Sequence, residues 1–147
     1  FETDLQINFI SLVKVIQSVL PNLSASEQAS IVAFSSVAAT MGMPFHTSVA
    51  ASKGAIEGFA KALAAEYAPK IRVNVIAPSL TDTPLADKFL NNETKQEKSA
   101  ERHPLKRFGK PEDSAQMASF LLSDKSSWIS GQIFHVDGGM STLLVNG

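Results

Sequence analysis

No cysteine occurs among the 147 residues, which excludes disulfides, thiol catalysis and cysteine-bound zinc together. A dominant charge is also missing: 13 lysines and arginines against 14 aspartates and glutamates leave a net charge of −1. That removes any broad electrostatic case for nucleic acid or for an anionic membrane surface, and the local group Lys106, Arg107 and Lys110 reads as a solvated loop. By sequence no run approaches the about 20 apolar residues that a membrane helix needs, and the acidic start at Glu2 and Asp4 is wrong for a signal peptide. A cytoplasmic protein is the expectation, and the lack of cysteine fits a reducing compartment. Tyrosine is scarce too, occurring once, at Tyr67.

What is present is the composition of a soluble globular chain, 44% hydrophobic and 18% charged, with seven prolines and eight glycines and neither a disordered nor a collagen-like bias. The length predicts one domain. The opening "FETDLQINFISLVKVIQSVLP" reads as a helix already under way, so the expectation is the later part of a longer protein.

From Leu5 to Leu20, Ile7, Ile10, Val13, Ile16, Val19 and Leu20 recur at helical spacing, and Pro21 is predicted to end the run. "SIVAFSS" is a short β-branched strand, flat enough to be buried on both faces. Between Val49 and Tyr67 the stripe Ile56, Phe59, Ala60, Leu63, Ala64 and Tyr67 predicts a helix facing a core. Its other face carries Ala51, Gly54, Ala55, Gly58, Ala62 and Ala65, small enough for a second helix or a sheet to approach closely. "IRVNVIAP" reads as a buried strand ended by Pro78. A long irregular segment from Ser79 to about Lys110 follows, and loops of such length predict a lid or substrate loop. A helix from Pro111 and a strand in "GQIFHVDGG" close the pattern. The alternation calls for an α/β fold, a parallel sheet with helices on its faces.

The stretches "INF", "IVAFSS", "VAASKGAIEGFAKALAAE", "IRVNVIAPSLTDTP", "RFGKPED" and "GQIFHVDGG", in this order and spacing, resemble the second half of a short-chain dehydrogenase/reductase over almost the whole chain. The resemblance implies a Rossmann-like doubly wound sheet with helices on both faces, of which residues 1–147 are the C-terminal portion without the N-terminal strands. It implies a nicotinamide cofactor at the carboxyl ends of the strands and hydride transfer between a small-molecule carbonyl and alcohol. The glycine-rich pyrophosphate turn belongs to the other half, and so do the residues that choose between NAD and NADP. Ser36 matches the serine that hydrogen-bonds the reacting oxygen. Lys53 matches the lysine that holds the nicotinamide ribose and lowers the pKa of a neighbouring phenol, and Asn8 the asparagine that supports it through water. Thr83 matches the threonine that binds the cofactor carboxamide, with Pro78, Ser79 and Thr81 beside it. Ser79 stands where the family usually has glycine, so the backbone path there is open.

The family's catalytic tyrosine lies four residues before the lysine and thirteen after the serine. Both counts fall on Val49, which can neither give nor take a proton. Tyr67 is eighteen residues further on, about 27 Å along a helix, and cannot substitute. Thr47 and Ser48 would need an activating base. His46 is the better stand-in, since an unperturbed imidazole titrates near pH 6.5; otherwise it lines a loop or binds substrate. His103, in a segment expected to be mobile, and His135, in a strand, receive no role.

Two readings stay open: an NAD(P)-dependent oxidoreductase with an altered proton donor, and a catalytically impaired relative that binds cofactor, senses or partners an active subunit. An independent 147-residue module is the least favoured. The resemblance also implies a homodimer or homotetramer built through the helices near 5–20 and 49–67, and the apolar Met140, Leu143, Leu144 and Val145 are compatible with such burial. No metal, nucleic acid or membrane is expected.

Overall fold

The structure, a computed structural model, describes residues 1–145; the last two residues of the predicted 1–147 span lie outside it. A helix over Glu2–Ala25 comprises α1 (Glu2–Leu5), a π-turn at Gln6–Ile10 and α2 (Ser11–Ala25). Then come β1 (Ala29–Phe34), α3 (Thr47–Tyr67) and β2 (Ile71–Pro78). The chain continues through α4 (Asp87–Leu90), α5 (Glu93–Glu101), α6 (Pro111–Leu122) and β3 (Ile133–Val136). Among the described residues the sheet is parallel and three-stranded, in the order β1-β2-β3.

The register explains why β2 reads as an unbroken apolar run. Ala29, Ile31 and Ala33 pair with Ile71, Val73 and Val75; all but the half-buried Ile31, which packs against them, form one buried core with Ile56, Ala60, Leu63 and Ala64 of α3 and Ile16 of α2. The alternate residues point the other way, as the period of two requires. Ser30 and Arg72 on that face reach the C-terminal end of α6, and Leu121 of α6 is fully buried. Helices therefore cover both faces, the Rossmann-like α/β arrangement expected.

Arg72 fastens the α6 side. Its guanidinium donates to the carbonyls of Leu121 at 3.0 Å and Ser123 at 3.1 Å and to the Ser126 hydroxyl at 2.8 Å. A cation there also meets the negative end of the helix dipole. Arg72→Met is expected to cost about 1.5–3 kcal/mol, the worth of a charged hydrogen bond together with the carbonyls it leaves unpaired, read from the urea midpoint; a loss under about 0.5 kcal/mol would show the clamp to be dispensable.

Three expectations need correction. Pro21 does not end its helix, which continues to Ala25. Pro21 is exposed, so the carbonyl it frees faces water, while Leu20 and Leu23 on either side pack against the core and hold the last turn. Glu2–Ala25, at 24 residues and with an 18-residue window of mean hydropathy 1.2, does reach the length and composition of a membrane span; Phe9, Leu12, Leu20 and Leu23 along it pack against the core. The segment from Ser79 to Lys110 is not irregular: it holds a 3-10 turn at Pro84–Ala86, then α4 and α5. Asn92 caps α5 by accepting from the Lys95 N–H at 2.9 Å.

The ends of that segment are tied together. Thr81 bridges Gly109, Asp82 N–H donates to the Gly109 carbonyl and Gly109 N–H to the Leu80 carbonyl, both at 2.9 Å. The approach is close at Gly109: a Cβ there would sit 3.0 Å from Thr81 Oγ1, so the threonine side chain would have to give by a few tenths of an ångström. Beyond it, Asp113 accepts from the Lys110 N–H and from both terminal nitrogens of Arg107 at 2.7 to 2.9 Å. These contacts, the Arg107 guanidinium first, lower the Asp113 carboxyl to about 2.

Candidate active site

The carboxyl end of β1 carries Ser36, two residues past the strand. Its Oγ accepts from the Ala38 N–H at 3.2 Å and caps a 3-10 turn, which leaves the hydroxyl proton free to be donated. Lys53, in the second turn of α3, turns back to the same strand end, where Nζ donates to the Phe34 carbonyl at 3.1 Å. Burial pushes the Lys53 amine below its ordinary value of 10.5. Lys53 thus reaches the end of the strand that leads into Ser36, although 17 positions separate the two residues in sequence.

Val49 lies one turn before Lys53, half-buried, on the same helical face. His46 is the N-cap residue of α3. Its Nδ1–H donates to the Pro44 carbonyl at 2.7 Å, so in the neutral ring Nε2 carries no proton and the group donates one only as imidazolium. The preceding Phe45 is fully exposed and has φ of 65°.

Asn8 lies in the π-turn and donates to the Asp4 carbonyl at 3.0 Å. The Asp4 carboxylate in turn accepts from the Ser48 hydroxyl at 2.6 Å. The N-terminal helix is therefore tied to the first turn of α3, but the Asn8 amide is held on its own helix and not on Lys53. Past β2, which ends at Pro78, Thr81 donates to the Ser79 carbonyl at 3.1 Å and Thr83 to the Thr81 carbonyl at 3.4 Å.

Ser79 resolves the question its sequence raises. Outside glycine, positive φ is confined among the described residues to Phe45 and Lys106, so the backbone at 79 does not need glycine. The Ser79 hydroxyl donates to His103 Nε2 at 2.8 Å, and His103 Nδ1–H donates to the Ser99 carbonyl at 2.7 Å. At 2% exposure, His103 is a buried link between the end of β2 and α5. Sequence reasoning also missed Glu57, which accepts from the Ser35 hydroxyl at 2.7 Å; the serine doublet at 35–36 was its only local sign.

A cavity of about 310 Å³ opens at the ends of β2 and β3, lined by Ser79, Arg107, His135, Asp137 and Gly138. It contains neither Ser36 nor Lys53; of the predicted site residues, Ser79 lines it. Among the described residues no group of three or more histidines and carboxylates could hold a metal.

A family model described as Enoyl-(Acyl carrier protein) reductase matches residues 1–141. The chain belongs to the short-chain dehydrogenase/reductase family. A 3-oxoacyl-[acyl-carrier-protein] reductase from Thermotoga maritima is 41% identical over 137 residues, which are 92% of this chain and 55% of the relative. From Xanthobacter autotrophicus, an inactive 2-(S)-hydroxypropyl-CoM dehydrogenase 2 is 37% identical over 132 residues, 86% of this chain and 57% of the relative. Among solved structures, a gluconate 5-dehydrogenase from Burkholderia cenocepacia in complex with NADP and tartrate superposes with a TM-score of 0.86 at 28% identity, covering 93% of this chain and 54% of that one. The chain therefore spans about half the length of the family members it matches.

Proposed function

We propose that the protein is a nicotinamide-dependent oxidoreductase that interconverts a carbonyl and an alcohol with an altered proton donor. The observation that carries the reading is that Lys53 Nζ donates to the Phe34 carbonyl at the end of β1, the strand end that Ser36 follows by two residues. When bound, NAD or NADP supplies the hydride. Ser36 donates a hydrogen bond to the substrate oxygen and stabilises charge that develops there. Lys53 holds the ribose hydroxyls, having three N–H donors and one protein acceptor among the described residues. Thr81 and Thr83, with Pro78 and Ser79, form the rim for the carboxamide, and Asn8 supports Lys53 through water. The proton reaches the alkoxide from the His46 imidazolium or from water.

Several companion proposals rest on the same reading. Residues 79–110 form the substrate wall, where Leu85 is 90% exposed and Phe89 half-exposed. The protein is a cytoplasmic homodimer or homotetramer, and its assembly faces lie on α2 and α3: Val15 and Val19 are exposed, and nothing approaches within 4 Å of a Cβ built at Gly54 or Gly58. The residues described form the C-terminal part of one Rossmann-like domain.

Val49 favours a second reading, a cofactor-binding relative without turnover. The two separate in one experiment on the protein at its full natural length: fluorescence titration with NADH and NADPH, followed by turnover of a carbonyl panel. Binding without turnover supports the second reading; absence of both overturns each.

Lys53→Met tests the cofactor role. Nicotinamide affinity is expected to fall about tenfold or more, a charged hydrogen bond being worth about 1.5–3 kcal/mol. Stability should move the other way. The folded pKa of Lys53 lies below the unfolded one, so below both values the amine is charged in both states and the burial penalty is fully present. It is relieved only as pH rises from the folded value towards 10.5. At neutral pH methionine removes that penalty, so Tm holds or rises; a fall in Tm with unchanged affinity would place Lys53 in the scaffold alone.

A further inference from the structure

Helix α3 grips the end of β1 at two points one turn apart. Lys53 donates to the Phe34 carbonyl at 3.1 Å, and Glu57 accepts from the Ser35 hydroxyl at 2.7 Å. The same Ser35 Oγ lies 3.3 Å from the Lys53 carbonyl, and Ser35 N–H donates to the Ile76 carbonyl of β2 at 2.8 Å. Ser35 and Glu57 are 3% and 8% exposed. Among the described residues the Glu57 carboxyl has no cationic partner, the ion pair present being Arg107 with Asp113.

A carboxyl buried against a neutral hydroxyl is a costly way to fill space that an apolar side chain of similar volume would fill without desolvating a polar group. What distinguishes this one is where its bond ends. It holds the residue immediately before Ser36 and, through the same hydroxyl, touches the turn that carries Lys53. Chain direction at Ser35 determines where the Ser36 Oγ stands, and the turn at 53 determines where the ammonium stands.

We propose that Glu57 is a positioning residue that, by holding Ser35, fixes the placement of the Ser36 hydroxyl relative to the Lys53 ammonium. The proposal rests on the oxidoreductase reading, in which those two groups align the reacting oxygen and the ribose. Neither Glu57 nor Ser35 touches substrate; both act through their neighbours. Misplacement of a reacting group by about 1 Å can cost about 10²-fold in rate, whereas cofactor binding is spread over several contacts and tolerates the shift better.

The test compares Glu57→Leu, Glu57→Gln and Ser35→Ala in whichever of the native protein and Val49→Tyr turns over, with rates expressed per folded molecule. Glu57→Leu and Ser35→Ala break the same bond from opposite sides, so both are expected to lower kcat about 10²-fold with little change in cofactor KM; if one fails to fold, the other carries the measurement. Glu57→Gln keeps an oxygen that accepts from Ser35 and is expected to restore most of the rate. Acylation of the Lys53 amine by a succinimidyl ester, followed by peptide mass, is expected to quicken in Glu57→Leu and Ser35→Ala as the grip on the strand end loosens. Loss of Tm with kcat unchanged, or a glutamine variant as slow as leucine, would overturn the proposal. Should the native protein and Val49→Tyr neither bind nicotinamide nor turn over, the oxidoreductase reading falls by itself, and unchanged Lys53 acylation across the variants would then overturn the positioning role separately.

Discussion

Val49→Tyr is expected to turn over carbonyl substrates about 10²–10⁴-fold faster than the native protein, the usual contribution of a positioned general acid and about 3 to 5.5 kcal/mol of barrier. Residues 49 and 53 share a face of α3, Lys53 reaches the strand end beside Ser36, and Val49 is only half-buried, so a phenol has room to project towards the same place. The nearby ammonium would favour the phenolate and so lower the phenol's pKa. The readout is cofactor oxidation against a carbonyl panel. If the native protein binds cofactor in silence and the variant turns over, the site is a complete scaffold lacking one group. If the native protein already turns over and tyrosine adds little, a resident donor is at work, and His46 becomes the next residue to change. A variant that binds cofactor yet stays silent on every substrate would contradict the placement of Ser36 and Lys53 as reacting groups.

The parts of this site that sequence reveals are those set by local spacing. Val49 and Lys53 are four apart on a helix, and the apolar runs of β1 and β2 mark strands whose ends must lie together in a parallel sheet. What sequence hides depends on contacts between distant segments. Glu57 looks like one more polar residue of α3 until Ser35, 22 residues earlier, is seen to close on it. His103 reads as part of a polar loop because its partners, Ser79 and the Ser99 carbonyl, come together only when α5 folds back on β2. Helix α5, "ETKQEKSAE", has no apolar stripe to announce it and is fixed by its Asn92 cap. Pro21 misleads for a related reason: local propensity calls for a stop, and packing of Leu20 and Leu23 overrides it.

Ile76→Ala should produce the largest loss of stability, about 2–5 kcal/mol. Ile76 is 0% exposed in the middle strand, pairs with Phe34 on one side and Phe134 on the other, and lies on the alternate face from Val73 and Val75, the face whose Arg72 meets α6. Truncation there leaves a cavity between a sheet and a helix that cannot collapse independently, since Arg72 and Ser30 hold the end of α6 in place. The loss would be a large share of the about 5–15 kcal/mol that holds an ordinary domain together. Ile76→Val, which removes a single methylene, should cost about 0.5–1.5 kcal/mol, and Leu85→Ala, on the exposed substrate wall, about 0.5 kcal/mol or less. Urea midpoints with unchanged slopes would establish the ranking. The candidate site hangs on this residue through its main chain, because the Ile76 carbonyl accepts from Ser35 N–H. That bond survives the side-chain change, so the folded fraction of Ile76→Ala should keep its cofactor affinity. A loss under about 1 kcal/mol would show the sheet to be open on its α6 face, and unchanged stability with lost cofactor affinity would mean that the side chain, not the carbonyl, supports the site.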